Sequence, residues 1–193
     1  MENSKEPVLT ARAVGDKTVG ACEKVALPDF KTVYHEDGII KRAVEWLIDG
    51  HRAEERRRTL DKACAPLGRI TILQAFQAYL IFLGMWRHAR FFLCRKPSRS
   101  LRAVSPRGEY RLGYEGETVY RCREVLFPED DATVSRAVDA FLEAHAEDPF
   151  AAFEHTAVPD GITFSQVLSL VVGVTSRACR YRWFVEEDKE ITT

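Results

Sequence analysis

The sequence predicts a mainly α-helical domain with a minor β component. The expected form is a compact bundle of about five helices around a central apolar helix at about 72–94, with one β-hairpin at about 109–127. Three observations carry that prediction. The longest apolar stretch, residues 70–94, repeats at helical and not at strand period. N-cap signatures stand ahead of apolar segments at Thr71-x-x-Gln74, at Asp130 or Asp131, and at Thr163-x-x-Gln166. Finally, two runs rich in Tyr, Val and Phe flank Glu115-Gly116-Glu117, a pattern that suits paired strands joined by a Gly-containing turn.

The central helix follows from its stripes. Leu73, Phe76, Leu80 and Leu83 form one, and Ile72, Ala75, Tyr79, Phe82 and Trp86 a second, so the helix is apolar nearly all round. Seventeen uncharged residues separate Arg69 from Arg87. A membrane span needs roughly 17–25 apolar residues, and Thr71, Gln74, Gln77 and Tyr79 fall inside this window. A buried core helix is therefore expected, ahead of an interface helix, and no transmembrane span.

The flanking elements are read in order. Residues 1–27 are polar and punctuated by Pro7, Gly15 and Gly20, as expected of a flexible N-terminal arm. Residues 29–34 alternate as a short strand would. Residues 38–49 form a helix with Ile40, Val44 and Leu47 on its apolar face, and Gly50 interrupts it. Residues 51–63 read as a charged, solvated helix held by pairs such as Glu54–Arg58. Ser, Pro and Gly mark the stretch after Cys94 as a loop up to the hairpin. A helix at 132–146 follows. Asp148-Pro149 opens a short one, and 164–184 is a last helix, with its β-branched run and Gly173 leaving strand as the alternative. No internal repeat is visible and no linker divides the chain. One globular domain at 28–185 and a polar tail at 186–193 are expected.

The chain has 193 residues and a formal net charge of −1, so no global field draws it to polyanions. The distribution is uneven. Between 87 and 111 stand Arg87, Arg90, Arg95, Lys96, Arg99, Arg102, Arg107 and Arg111 against the single acid Glu109, and Arg121 and Arg123 follow on the second strand. Residues 129–160 hold nine acids against Arg136. Arginine offers phosphate a bidentate fork, and the interleaved Phe91, Phe92, Tyr110, Tyr114 and Tyr120 offer stacking faces for unpaired bases. These ten basic residues are the candidate polyanion-binding set. The competing reading is structural: the basic stretch meets the acidic one within the chain or on a second copy.

Enzyme signatures are absent. There is no Walker loop, GxGxxG, GxSxG, HExxH or EF-hand loop. The five cysteines (22, 64, 94, 122 and 179) are odd in number, widely spaced and without a CxxC, so reduced thiols are expected, with no metal and no cofactor. The N-terminal stretch lacks an apolar h-region, which predicts a cytoplasmic or nuclear protein and not a secreted one.

Two short strings, Pro28-Asp29-Phe30-Lys31 with Tyr34 and Asp130-Asp131-Ala132-Thr133-Val134, are similar to pieces of tobamovirus coat proteins. They cover ten residues at a different separation, and no site residue carries over. The resemblance implies only a class, the small self-assembling Arg-bearing helical proteins found among viral coat, matrix and accessory proteins. The expectation is thus a non-enzymatic, self-associating protein that binds RNA, DNA or an anionic membrane surface through its Arg-rich middle. The alternatives are a protein–protein adaptor without a polyanion site and, third, an enzyme without a local signature.

Overall fold

A computed structural model describes residues 11–12, 34–52, 64, 67–95, 109–114, 118–178 and 180–186. In chain order these contain β1 (Ala11–Arg12), α1 (Gly38–Arg52), α2 (Ile72–Arg87), β2 (Arg90–Arg95), β3 (Glu109–Tyr114), β4 (Thr118–Val125), α3 (Ala132–Ala144), α4 (Pro149–His155), α5 (Phe164–Ala178) and β5 (Tyr181–Glu186). The described part is mostly helical, as expected. The β component is larger than one hairpin: five antiparallel strands run in the order β1-β3-β4-β5-β2. No described helix is long and apolar enough to cross a membrane.

Two expected helices each divide into a helix and a strand. The central helix stops at Arg87. His88 takes a left-handed conformation (φ 50°), its N–H bonds back to the Leu83 carbonyl, and β2 begins two residues later. The last segment breaks likewise at Arg180 (φ 57°), so that 164–184 is both a helix and the start of a strand. A strand buried on both faces reads as a continuous apolar run, so periodicity alone does not separate it from the helix before it. Gly50, read as an interruption, lies inside α1. The charged helix expected at 51–63 and the strand expected at 29–34 fall almost wholly outside the described residues, as do the N-terminal arm (but for β1) and all of the polar tail but Glu186.

The register decides what each sheet face carries. Leu93, Trp183 and Val125 lie in one cross-strand row, with Phe91, Val185 and Tyr181 on the same face. This face packs on the helices: the Trp183 ring meets Phe76 of α2 edge-on at 5.3 Å, and Trp183 belongs to the helical core cluster. The other face carries Phe184 and Cys122, both buried, with Tyr110, Glu124 and Arg182 beside them. There Arg182 Nε donates to Glu124 Oε1 at 2.7 Å, and its guanidinium lies over the Tyr110 and Phe184 rings.

The helices form two matching pairs, which exposes an internal duplication. Asp37 caps α1, its Oδ1 accepting from the amides of Ile39 and Ile40, and Asp131 caps α3 through Thr133 and Val134. Thr71 and Gln74 form a capping box on α2, and Thr163 and Gln166 form one on α5. In each pair the capping-box glutamine reaches the other helix's cap. Gln74 Nε2 donates to Asp37 Oδ2 at 2.9 Å, and Gln166 Nε2 to Asp131 Oδ2 at 3.0 Å. A left-handed residue and a strand follow both second helices.

With these anchors the sequences align. Asp37, Arg42-Ala43-Val44 and His51 correspond to Asp131, Arg136-Ala137-Val138 and His145, 94 residues apart, and Thr71/Gln74 to Thr163/Gln166, 92 apart. Thr18, Val19, Cys22, Val25 and Pro28 recur 100 residues later at Thr118, Val119, Cys122, Val125 and Pro128. The drift of this separation from 100 to 92 hides the repeat from inspection at a fixed period. β2 and β5, the equivalent strands, pair antiparallel, with Arg90 opposite Glu186 and Arg95 opposite Tyr181. The loops ahead of α2 and α5 also exchange bonds, Cys64 N–H to Ile162 O (3.1 Å) and Val158 N–H to Ile70 O (3.0 Å). Reciprocal contacts of this kind are what a two-fold relation between the copies produces.

Candidate polyanion interface

The basic set is distributed over four elements. Arg87 ends α2, Arg90 and Arg95 begin and end β2, Arg111 lies in β3, and Arg121 and Arg123 lie in β4. Lys96, Arg99, Arg102 and Arg107 lie outside the described residues. Across the hairpin the backbone register sets Arg111 directly opposite Arg121, and Arg123 opposite Glu109. The ends of the basic connection 96–108 stand at opposite ends of β5: Arg95 pairs with Tyr181, while Glu109 pairs with Arg123, itself opposite Val185.

Arg121 and Arg123 are exposed and flank the buried Cys122. By strand alternation they share the face that packs on helices nearer β5. Neither arginine takes part in an ion pair among the described residues. Like charges opposite one another weaken a ladder, so the Arg111–Arg121 register contributes nothing to strand pairing.

The acidic stretch does find a basic partner within the chain, at a site other than the expected one. Asp139 of α3 pairs with Arg177 of α5 at 2.7 Å. Glu129, Asp130, Glu143, Glu147, Asp148, Glu154 and Asp160 are exposed.

Cysteine chemistry is muted here. Burial pushes the Cys64 thiol up to about 12; at Cys122 burial, with a contribution from the Glu186 charge, does the same. Both stay protonated near neutral pH and supply no thiolate nucleophile. Among the described residues no group of three or more His, Cys, Asp or Glu could hold a metal ion.

One feature was missed in the sequence. A cleft of about 690 Å³ opens at the start of α1, lined by Glu36, Asp37, Ile39, Arg42, Gln74 and Gln77 among others. Its only sequence signal was a pair of glutamines inside an otherwise apolar helix.

No family model matches the chain, and no curated protein or solved structure matches it significantly.

Proposed function

We propose that this chain is a non-enzymatic, self-associating protein whose Arg-rich stretch, with the β3–β4 hairpin, binds a polyanion, with single-stranded nucleic acid as the best fit. The observation that carries the reading is the state of Arg121 and Arg123: two exposed guanidinium groups with no ion-pair partner among the described residues. Ion pairing among the described residues does not account for them, and a guanidinium fork suits phosphate. Self-association is favoured by the opposite charge of the 87–111 and 129–160 stretches, which lets copies meet head to tail.

The test is a mobility shift with a single-stranded RNA of about 20 nucleotides, at low and high salt. The expected affinity falls steeply with salt, and Arg121→Ala/Arg123→Ala lowers the log–log salt slope by about 1–1.5. Binding that ignores salt, or a variant that binds like the parent, contradicts the proposal. The adaptor reading has one observation of its own: Leu126, next to the hairpin, is 74% exposed. Sizing chromatography with and without nuclease separates the two, because a polyanion binder carries nucleic acid at low salt and releases it at high salt.

A further inference from the structure

The duplication gives each strand of the second copy a counterpart in the first. β5 corresponds to β2 at a separation of 92 residues, since the left-handed residues before them, Arg180 and His88, are equivalent. β3 and β4 correspond to 9–14 and 18–25 at a separation of 100, through the shared Thr-Val-x-x-Cys-x-x-Val pattern. Of these, Ala11–Arg12 is described, as β1, and 18–25 lies outside the described residues.

Two registers locate the two-fold axis. In the β2–β5 ladder Arg90 faces Glu186 and Cys94 faces Arg182, and exchanging the copies by 92 residues turns the first pair into the second. In the β1–β3 ladder Ala11 faces Tyr114 and Arg12 faces Gly113. Carried two residues further, that register sets 14 opposite 111, which is the first pair with the copies exchanged by 100 residues. A ladder that is its own image under the exchange lies on the axis. The sheet therefore meets the axis twice, at β2–β5 and at β1–β3. On one side the run β3-β4-β5 joins the two crossings. On the other side β1 and β2 stand at the crossings, and the counterpart of β4 is what joins them.

Burial points the same way. Phe184 and Cys122 are 0% and 1% exposed, yet neither belongs to the core cluster that the helices build. They lie on the sheet face turned from the helices, with the Tyr110 ring edge-on to Phe184 at 5.0 Å. Apolar groups on a sheet face stay dry beneath a second layer. A sheet curled into a ring supplies that layer from its own opposite wall.

We propose that residues 18–25 are a sixth strand, seated between β1 and β2, which makes the sheet a six-stranded antiparallel ring with Phe184 and Cys122 inside it. The expected register copies β4–β5: Glu23 opposite Leu93, Lys24 opposite Phe92 and Val25 opposite Phe91. Val25 then shares the helical face with Phe91, as Val125 does with Trp183. A ring leaves no strand edge for another chain to extend, so copies of this protein meet through side-chain surfaces and not by strand addition. The inference rests on the duplication and stands independently of the polyanion reading.

The full-length chain, labelled with carbon-13 and nitrogen-15, tests this through backbone nuclear Overhauser contacts, with no variant needed. The expected contacts join 23–25 to 91–93 in the stated register, and join 11 to 21 as Arg111 is joined to Arg121. An equal mixture of labelled and unlabelled chains, read with an isotope filter, separates contacts within a chain from contacts between copies. Contacts within one chain in that register support the proposal. It is overturned if 23–25 make no contact with β2, if the register is shifted by one residue, or if the contacts come from a second copy.

Discussion

Trp183 donates its indole N–H to Thr175 Oγ1 at 2.8 Å, and Thr175 donates in turn to the Val171 carbonyl at 2.7 Å. All of this lies inside the helix–sheet contact, with Trp183 2% exposed and Thr175 fully buried. The hydroxyl is therefore the partner that lets a tryptophan occupy the core. Thr175→Val keeps the shape and removes the acceptor, leaving the indole N–H unpaired. The expected cost is about 1–3 kcal/mol, read as a lower urea midpoint at unchanged slope. Thr175→Ser should recover most of it, and a valine variant as stable as the parent would refute the assignment.

The two Asp–Gln links are expected to behave alike, because they are copies of one device. At Asp131 the Val134 and Thr133 amides and the Gln166 side chain together hold the carboxyl below its ordinary value. At Asp37 burial opposes ionisation, but hydrogen bonds from Gln74, Ile40 and Ile39 outweigh it, and the net shift is again downward. A carboxyl lowered in the folded state stabilises fully above its unfolded pKa of about 3.9. That stabilisation is lost as pH falls through the folded value. Asp37→Ala and Asp131→Ala should each cost about 1 kcal/mol near neutrality. The gap to the parent should close below about pH 3.9. Urea midpoints across that range check it; a gap that persists at low pH, or only one variant responding, would argue against the equivalence.

How much of this was legible depends on the range of the signal. Capping is local, so Thr71-x-x-Gln74, Asp131, Asp148 and Thr163-x-x-Gln166 all act at helix starts as their spacing indicates. The hairpin was legible for the same reason. Strands β2 and β5 were not, because each continues the apolar run of the helix before it, and the left-handed breaks at His88 and Arg180 carry no glycine to announce them. Gly173 was read as a weakness in a helix. Its role is spatial: a Cβ there would meet the Phe127 ring at 2.7 Å and Val138 Cγ2 at 2.8 Å, contacts with residues far off in sequence. The duplication was hidden because its spacing drifts. The ends of the basic set became interpretable only through strand register, which long-range pairing alone fixes.

On the sheet face away from the core helices, Arg182, Glu124 and Tyr110 form a hydrogen-bonded network. Arg182 Nη2 donates to the Tyr110 hydroxyl at 3.0 Å, and that hydroxyl donates to Glu124 Oε2 at 3.2 Å. The side chains of Arg182 and Glu124 are 18% and 20% exposed, so the pair is neither a surface bridge nor a fully buried one. The hydrogen bond that the guanidinium donates to Glu124 raises its affinity for its proton, although burial opposes this. Glu124→Leu should thus remove the carboxylate from a cation held between the Tyr110 and Phe184 rings. Removing one partner of a fully buried pair costs about 3–5 kcal/mol; with residual exposure about 2 kcal/mol is expected here. Adding Arg182→Leu should restore much of the loss, since two apolar residues need no pairing. The check is a double-mutant cycle in urea with salt varied: recovery in the double variant and a coupling that changes little with salt are the expected outcome. A coupling near zero would mean that solvent, and not Glu124, satisfies Arg182.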